Sequence, residues 1–337
     1  MKRILCILFA LLMWGVLAFG AAEEQPEPPK SPYTGRTQTS CNIREEKSTD
    51  SKVLVCVPKG KRIPVYSFDP EWVEVEYDGC RGYMKRALLE STYVRTGYYE
   101  FFPPYGVEEY MYRAVIDGTA PVLSAPGGTE VLTTLYDGAD IAFIGFENGW
   151  GKLIYRRQYG YINSNCLRDL QPVDRNLTDP RTDTPIAVYV SFYNIAETEE
   201  NKARMVNLQV ACDRLNAITF LPGDTLDFNG QIGPYKASVG YQPAPALVNG
   251  GTKLNYGGGT CQVSSTLYNS ILQLPGITIL QRRPHGPSGA AYLPHGVDAA
   301  VGNSSLNLRF RNDYPYAIRV DGHCQDGALY IAVYRVN

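Results

Sequence analysis

Residues 256–270 read YGGGTCQVSSTLYNS: three glycines, a threonine, Cys261, and then a run with helical spacing. Gly257, Gly258 and Gly259 let the chain adopt positive φ angles and bring its backbone close to a partner, which makes them candidate ligand-binding positions. Cys261, Val263, Ser264, Leu267, Tyr268, Ile271 and Leu272 fit a helix of about three to four turns. Cys261 therefore falls in the first turn, where unpaired amides and the positive end of the helix dipole stabilise a thiolate. The backbone amide of Cys261, or the side chain of Gln262, could also hold an oxyanion. A glycine-rich turn before a helix can instead cradle phosphate, but no Gly-Lys-Ser/Thr follows.

A nucleophilic thiolate needs a base, and the chain holds only three histidines. His285 ends the ITILQRR strand that follows the helix, while His295 and Asp298 come after a short strand expected over Ala290 to Leu293. A cysteine on a helix, a histidine on the next strand and an aspartate on a later one is the order used in transglutaminase-like and papain-like folds. The roles would be Cys261 as nucleophile, His285 as general base and Asp298 as the carboxylate that orients the imidazole. Ser264, Ser265 and His295 are further candidate ligand contacts. Two alternatives stay open: His295 in place of His285 as base, and zinc on Cys261, His285 and His295, whose spacing matches no common finger.

These residues lie in a region, 188–337, that resembles the VanW family. The motifs that carry the resemblance are FNGQIGP, GY, GGGTCQVSSTLYN, RRPHG, AYLPHGVDAAV and LRFRND. His285-Gly286 stands where the family usually has His-Ser. The resemblance implies a cell-envelope protein of monoderm-type bacteria and leaves the reaction open.

Toward the N-terminus, residues 171–187 are polar and proline-bounded, as in a linker. Ahead of it the chain matches itself without gaps, Gly60 with Gly138, Trp72 with Trp150, Tyr77 with Tyr155, Gly82 with Gly160, Tyr83 with Tyr161 and Leu89 with Leu167. Both copies alternate apolar and polar residues in short runs broken by Gly and Pro, which predicts two small all-β barrels, 35–92 and 108–170. A tryptophan is expected to close the core of each. The first copy resembles a bacterial SH3 domain through Asn42, Ile43 and Arg44, Lys59 and Gly60, Trp72 and Val75, Gly82 and Tyr83; the second keeps only the later half. The resemblance implies tethering to wall peptide or glycan, against the blander reading of a spacer.

Residues 1–22 read as a secretory signal, Lys2 and Arg3 preceding an apolar stretch from Ile4 to Phe19, and 23–34 as a proline-rich leader. An uncleaved signal would be the one membrane contact. Outside the signal stand seven cysteines, Cys41, Cys56, Cys80, Cys166, Cys212, Cys261 and Cys324, an odd number that cannot all pair within one chain. A net charge of −2 with no basic run excludes nucleic acid as a partner.

The expectation is thus a multidomain exported protein: two SH3-like barrels followed by an α+β domain of VanW-like, transglutaminase- or papain-like layout. Two functions fit. One is a cysteine-dependent amidase or acyl-transferase acting on peptidoglycan peptides. The other is a non-catalytic module that binds wall or antibiotic-like peptides in a glycopeptide response. Neither calls for a cofactor or a metal.

Overall fold

The computed structural model describes residues 33–68, 71–94, 109–248, 251–285, 290–294 and 297–337. The expected signal peptide and His295 lie outside the described residues, as does the leader apart from its last two positions. Among the described residues no helix is long and apolar enough to cross a membrane.

The chain is mostly antiparallel sheet with few helices. Its first unit is a seven-stranded sheet in the order Val53–Val57, Cys41–Arg44, Cys80–Lys85, Trp72–Tyr77, Arg62–Phe68, Tyr33–Thr37, Leu89–Val94. The alternation seen in the sequence sends Ile43, Val57, Ile63, Val65, Val73, Val75 and Met84 into one small core. Trp72 is buried outside that core, beneath the Lys85 ammonium 4.4 Å from its ring. Trp150 is half-buried and belongs to neither core. Trp72 is thus buried as expected, whereas Trp150, which begins its strand, leaves the interior to residues further along it.

The second unit has a five-stranded sheet from Val131–Tyr136 to Gly145–Glu147 and a three-stranded sheet in which Asp140–Phe143 and Leu167–Pro172 flank Tyr112–Ile116. Unlike the first unit, it has no core of its own. Ala114, Ile116, Val122, Leu135, Phe143 and Leu153 belong to one continuous cluster with Tyr189, Leu267, Ile331 and Val333. The rings of Tyr110 and Tyr189 meet edge-on at 4.9 Å, and the Tyr110 amide donates to Gln273 Oε1 at 3.0 Å.

The C-terminal region is built on a four-stranded sheet, Ala187–Phe192, Ala328–Val336, Ala317–Gln325 and Thr219–Phe220. All six residues of Ala187–Phe192 are buried, the pattern of a strand covered on both faces. Alternation along Ala317–Gln325 shows what covers them. Gly322 packs against Cys212 of the helix Glu199–Asn216, while the adjacent His323 reaches across to Asp140 of the second unit, Nδ1 to Oδ2 at 2.7 Å.

The helix Thr260–Ile271 lies against this sheet. It is not one-sided: eleven of its 12 residues are buried, and only Cys261 keeps partial exposure. Its many small polar side chains make that burial affordable by bonding carbonyls of other segments. Ser270 Oγ donates to Ile331 O at 3.2 Å, and Gln273, just past the helix, donates to Val188 O at 2.8 Å.

Candidate active site

Cys261 sits at the N-terminal mouth of its helix because the three glycines each do something a larger residue could not. Gly257 and Gly259 have φ of 76° and 108°. At Gly258 an added Cβ would lie 2.3 Å from the Ala244 carbonyl oxygen. The loop therefore packs flush against the hairpin Pro243–Val248 and Gly251–Tyr256 and leaves the cysteine facing a cleft of about 610 Å³.

Around the thiol, Val301 N lies 3.4 Å and Val301 O 3.5 Å from Cys261 Sγ. The imidazole of His285 lines the same cleft as this sulfur. On its other side, His285 Nδ1 meets Asp298 Oδ2 at 2.6 Å, and the His285 amide donates to that oxygen at 2.7 Å. Burial alone would discharge the imidazole, but the Asp298 hydrogen bond and then Cys261 outweigh it, and the pKa of His285 is pushed up to about 10. Burial likewise opposes ionisation of Asp298. The His285 hydrogen bond and the Arg282 charge, 3.7 Å away, overcome it and hold the carboxyl below its ordinary range.

Asp298 is fully buried, and its position is set by the cysteine helix itself. Ser264 Oγ donates to Ala299 O at 2.6 Å, Ser265 Oγ accepts from Ala299 N at 2.9 Å, and Asn269 Nδ2 donates to Val297 O at 2.7 Å. Arg282 Nε adds a bond to Asp298 O at 2.7 Å. The residues before and after Asp298 are thus pinned to the element that carries Cys261.

The site departs from the sequence expectation in four respects. Ser264 and Ser265, expected as ligand contacts, are buried and do not line the cleft; their hydroxyls bond the Asp298 segment instead. Gln262 borders the cleft, but its amide is held at both ends, Nε2 on Ser191 Oγ at 3.0 Å and Oε1 by Arg204 Nη2 at 2.8 Å. That leaves the Cys261 amide, which the first helical turn supplies with no acceptor, as the backbone donor nearest the thiol. Ala290 to Leu293 form a turn instead of a strand, and Asp298 stands in irregular chain. His285 lies beyond the end of its strand, Ile277–Gln281. Proline and glycine flank these histidines, so the strand cannot run on, and side-chain bonds from the helix replace the ladder.

Among the cleft residues that sequence reasoning passed over are Arg204, Tyr235 and Tyr292. Tyr235 packs on Gly257 and donates to Asn229 Oδ1 at 2.9 Å. Burial, and next the Cys261 charge, raise the Tyr292 phenol, keeping it protonated. Arg204 comes from the helix Glu199–Asn216, far away in sequence. Among the described residues no group of three His, Cys, Asp or Glu side chains is placed to hold a metal.

Comparison with known proteins places these features. Residues 203–334 match the VanW-like protein family and residues 39–90 the bacterial SH3 domain, so the chain joins a VanW-like domain to an SH3 domain of bacterial type. The uncharacterized protein YoaR of Bacillus subtilis is 32% identical over 162 residues, 48% of this chain and 52% of that protein. The vancomycin B-type resistance protein VanW of Enterococcus faecalis is 32% identical over 119 residues, 34% of this chain and 42% of that one. The chain spans about half the length of the curated relatives it matches. Among solved structures, an NlpC/P60 family protein from Bacillus cereus aligns over 44% of this chain and 60% of its own at 9% identity and a TM-score of 0.16. NlpC2 from Trichomonas vaginalis aligns over 91% and 98% at 10% identity and a TM-score of 0.17. Likeness at that level carries no argument about fold or activity.

Proposed function

We propose that this is a cell-wall-associated thiol enzyme whose VanW-like domain breaks or exchanges amide bonds in peptidoglycan peptides, with Cys261 as nucleophile. The observation that carries the reading is the contact of His285 with Asp298, at 2.6 Å, in the wall of the open cleft that Cys261 also lines. Cys261 Sγ attacks the acyl carbon. The oxyanion forms against the Cys261 amide at the helix N-terminus, and His285 gives a proton to the leaving amine. Water, or an acceptor amine, then attacks the thioester, His285 takes a proton from it, and the Cys261 thiolate leaves, restoring the starting pair of thiolate and imidazolium. Asp298 holds the imidazole by Nδ1 so that Nε2 is the atom that exchanges the proton.

The SH3 domain supports a location at the wall, and the resistance protein among the relatives supports a role near peptidoglycan. Tethering would fall to the first β unit. The internal repeat supports reading the second unit as another SH3-like barrel, and a cysteine helix laid on an antiparallel sheet supports a papain-like α+β layout for the domain. Export rests on the N-terminal signal.

The test is alkylation of the folded protein with iodoacetamide, followed by peptide mass spectrometry of the seven cysteines outside the signal. Cys261 should react fastest at pH 7, and His285→Ala should slow it at least tenfold. Cys261→Ala should abolish release of amines from purified peptidoglycan. Unlabelled Cys261 together with undiminished wall binding by Cys261→Ser would replace the enzyme with a non-catalytic peptide-binding module.

A further inference from the structure

The charge of the cleft is one-sided. Among the described residues its wall carries the guanidinium of Arg204 and the imidazole of His285, and no aspartate or glutamate. Asp298, the carboxylate that balances His285, is fully buried behind the wall. Arg204 has no such counterion: among the described residues it makes no ion pair, and its Nη2 is bonded to the neutral amide oxygen of Gln262. It is half-buried, so its charge is partly withdrawn from water without compensation.

The position of Arg204 is built rather than incidental. An added Cβ at Gly259 would lie 2.9 Å from Arg204 Cγ, so the glycine that caps the cysteine helix also gives this side chain its passage across the helix mouth. Gln262 is in turn fixed by Ser191 from below. The guanidinium is therefore held one residue from the nucleophile by an anchored amide, with donors left over in a planar fork suited to a carboxylate.

We propose that Arg204 is the specificity residue of the cleft, and that it selects acyl substrates bearing a free carboxylate close to the bond attacked by Cys261. The proposal names the substrate class of the thiol reading and rests on it for the phrase "bond attacked". The binding preference itself depends only on the cleft.

The experiment uses the full chain as Cys261→Ser, which cannot turn over, and isothermal titration calorimetry. The probes are two synthetic pentapeptides of peptidoglycan stem composition, one with its carboxylates free and one with them amidated. The free peptide should bind at least tenfold more tightly, and the gap should shrink with salt. Adding Arg204→Gln should bring the two peptides level, whereas Arg204→Lys should keep part of the difference; circular dichroism checks that both variants fold. Equal binding of the two peptides, a gap that survives Arg204→Gln, or no binding of either at millimolar concentration overturns the proposal. Turnover and alkylation report separately. An inert Cys261 with intact carboxylate preference removes the enzyme and leaves Arg204 in place, while a reactive Cys261 without the preference does the reverse.

Discussion

At the scale of single residues, the buried contact between His285 and Asp298 makes stability depend on pH with a definite sign. His285 binds its proton more tightly in the folded chain than in the unfolded one. Its contribution is therefore complete below about 6.5 and is lost as the pH rises through about 10. The groups facing it are Asp298 and Cys261, with Arg282 behind the carboxylate. Between pH 7 and 9 the His285 share of the loss in denaturant melts should be on the order of 2 kcal/mol, at 1.36 kcal/mol per pH unit, on top of a loss of the same sign from the thiols of Cys41 and Cys212, which the fold also holds protonated. His285→Gln, which cannot titrate, should flatten that slope; an unchanged slope would place the titration elsewhere. Asp298 has the opposite sign, since a lowered carboxyl contributes above the ordinary range and fails as acid protonates it. Asp298→Ala should cost about 3–5 kcal/mol, the usual result of removing one partner from a buried ionic pair, as read by guanidinium denaturation.

At the scale of elements, the helix Thr260–Ile271 both carries Cys261 and clamps the segment that holds Asp298. Ser265→Ala and Asn269→Ala each remove a bond to the segment 297–299, and each should cost about 1–3 kcal/mol. Both should also slow Cys261 alkylation, although neither side chain lines the cleft; a loss of stability with full reactivity would show that the clamp does not hold the site. This element also marks how far the sequence could be read. Three glycines, a cysteine and a helical period were enough to place Cys261 at a helix mouth, and a shortage of histidines led to His285 and Asp298. The seryl pair looked like ligand contacts because a sequence does not say which way a hydroxyl turns on a helix buried all round. Arg204 carried no local signal: it is one charged residue on a mostly polar helix, and its role comes from crossing Gly259, 55 positions later in the chain.

At the scale of the whole molecule, the internal repeat predicted two equivalent units, yet only the first keeps its own core. Alternation sets which side chains point inward but not what they meet there, and in the second unit they meet the C-terminal sheet. A fragment 109–337 should thus melt as one cooperative transition, while 188–337 alone, stripped of the partners of Tyr189 and His323, should fail to give a folded NMR spectrum. Two separate transitions for 109–337 would contradict the shared core. The strand Ala328–Val336 lies at the centre of that arrangement, paired along both edges and buried at its first seven positions. Its backbone amides have no route to solvent short of opening the entire body. In heavy water they should be the last to take up deuterium, and their exchange rate reads out, from inside the protein, the free energy that keeps the cleft assembled.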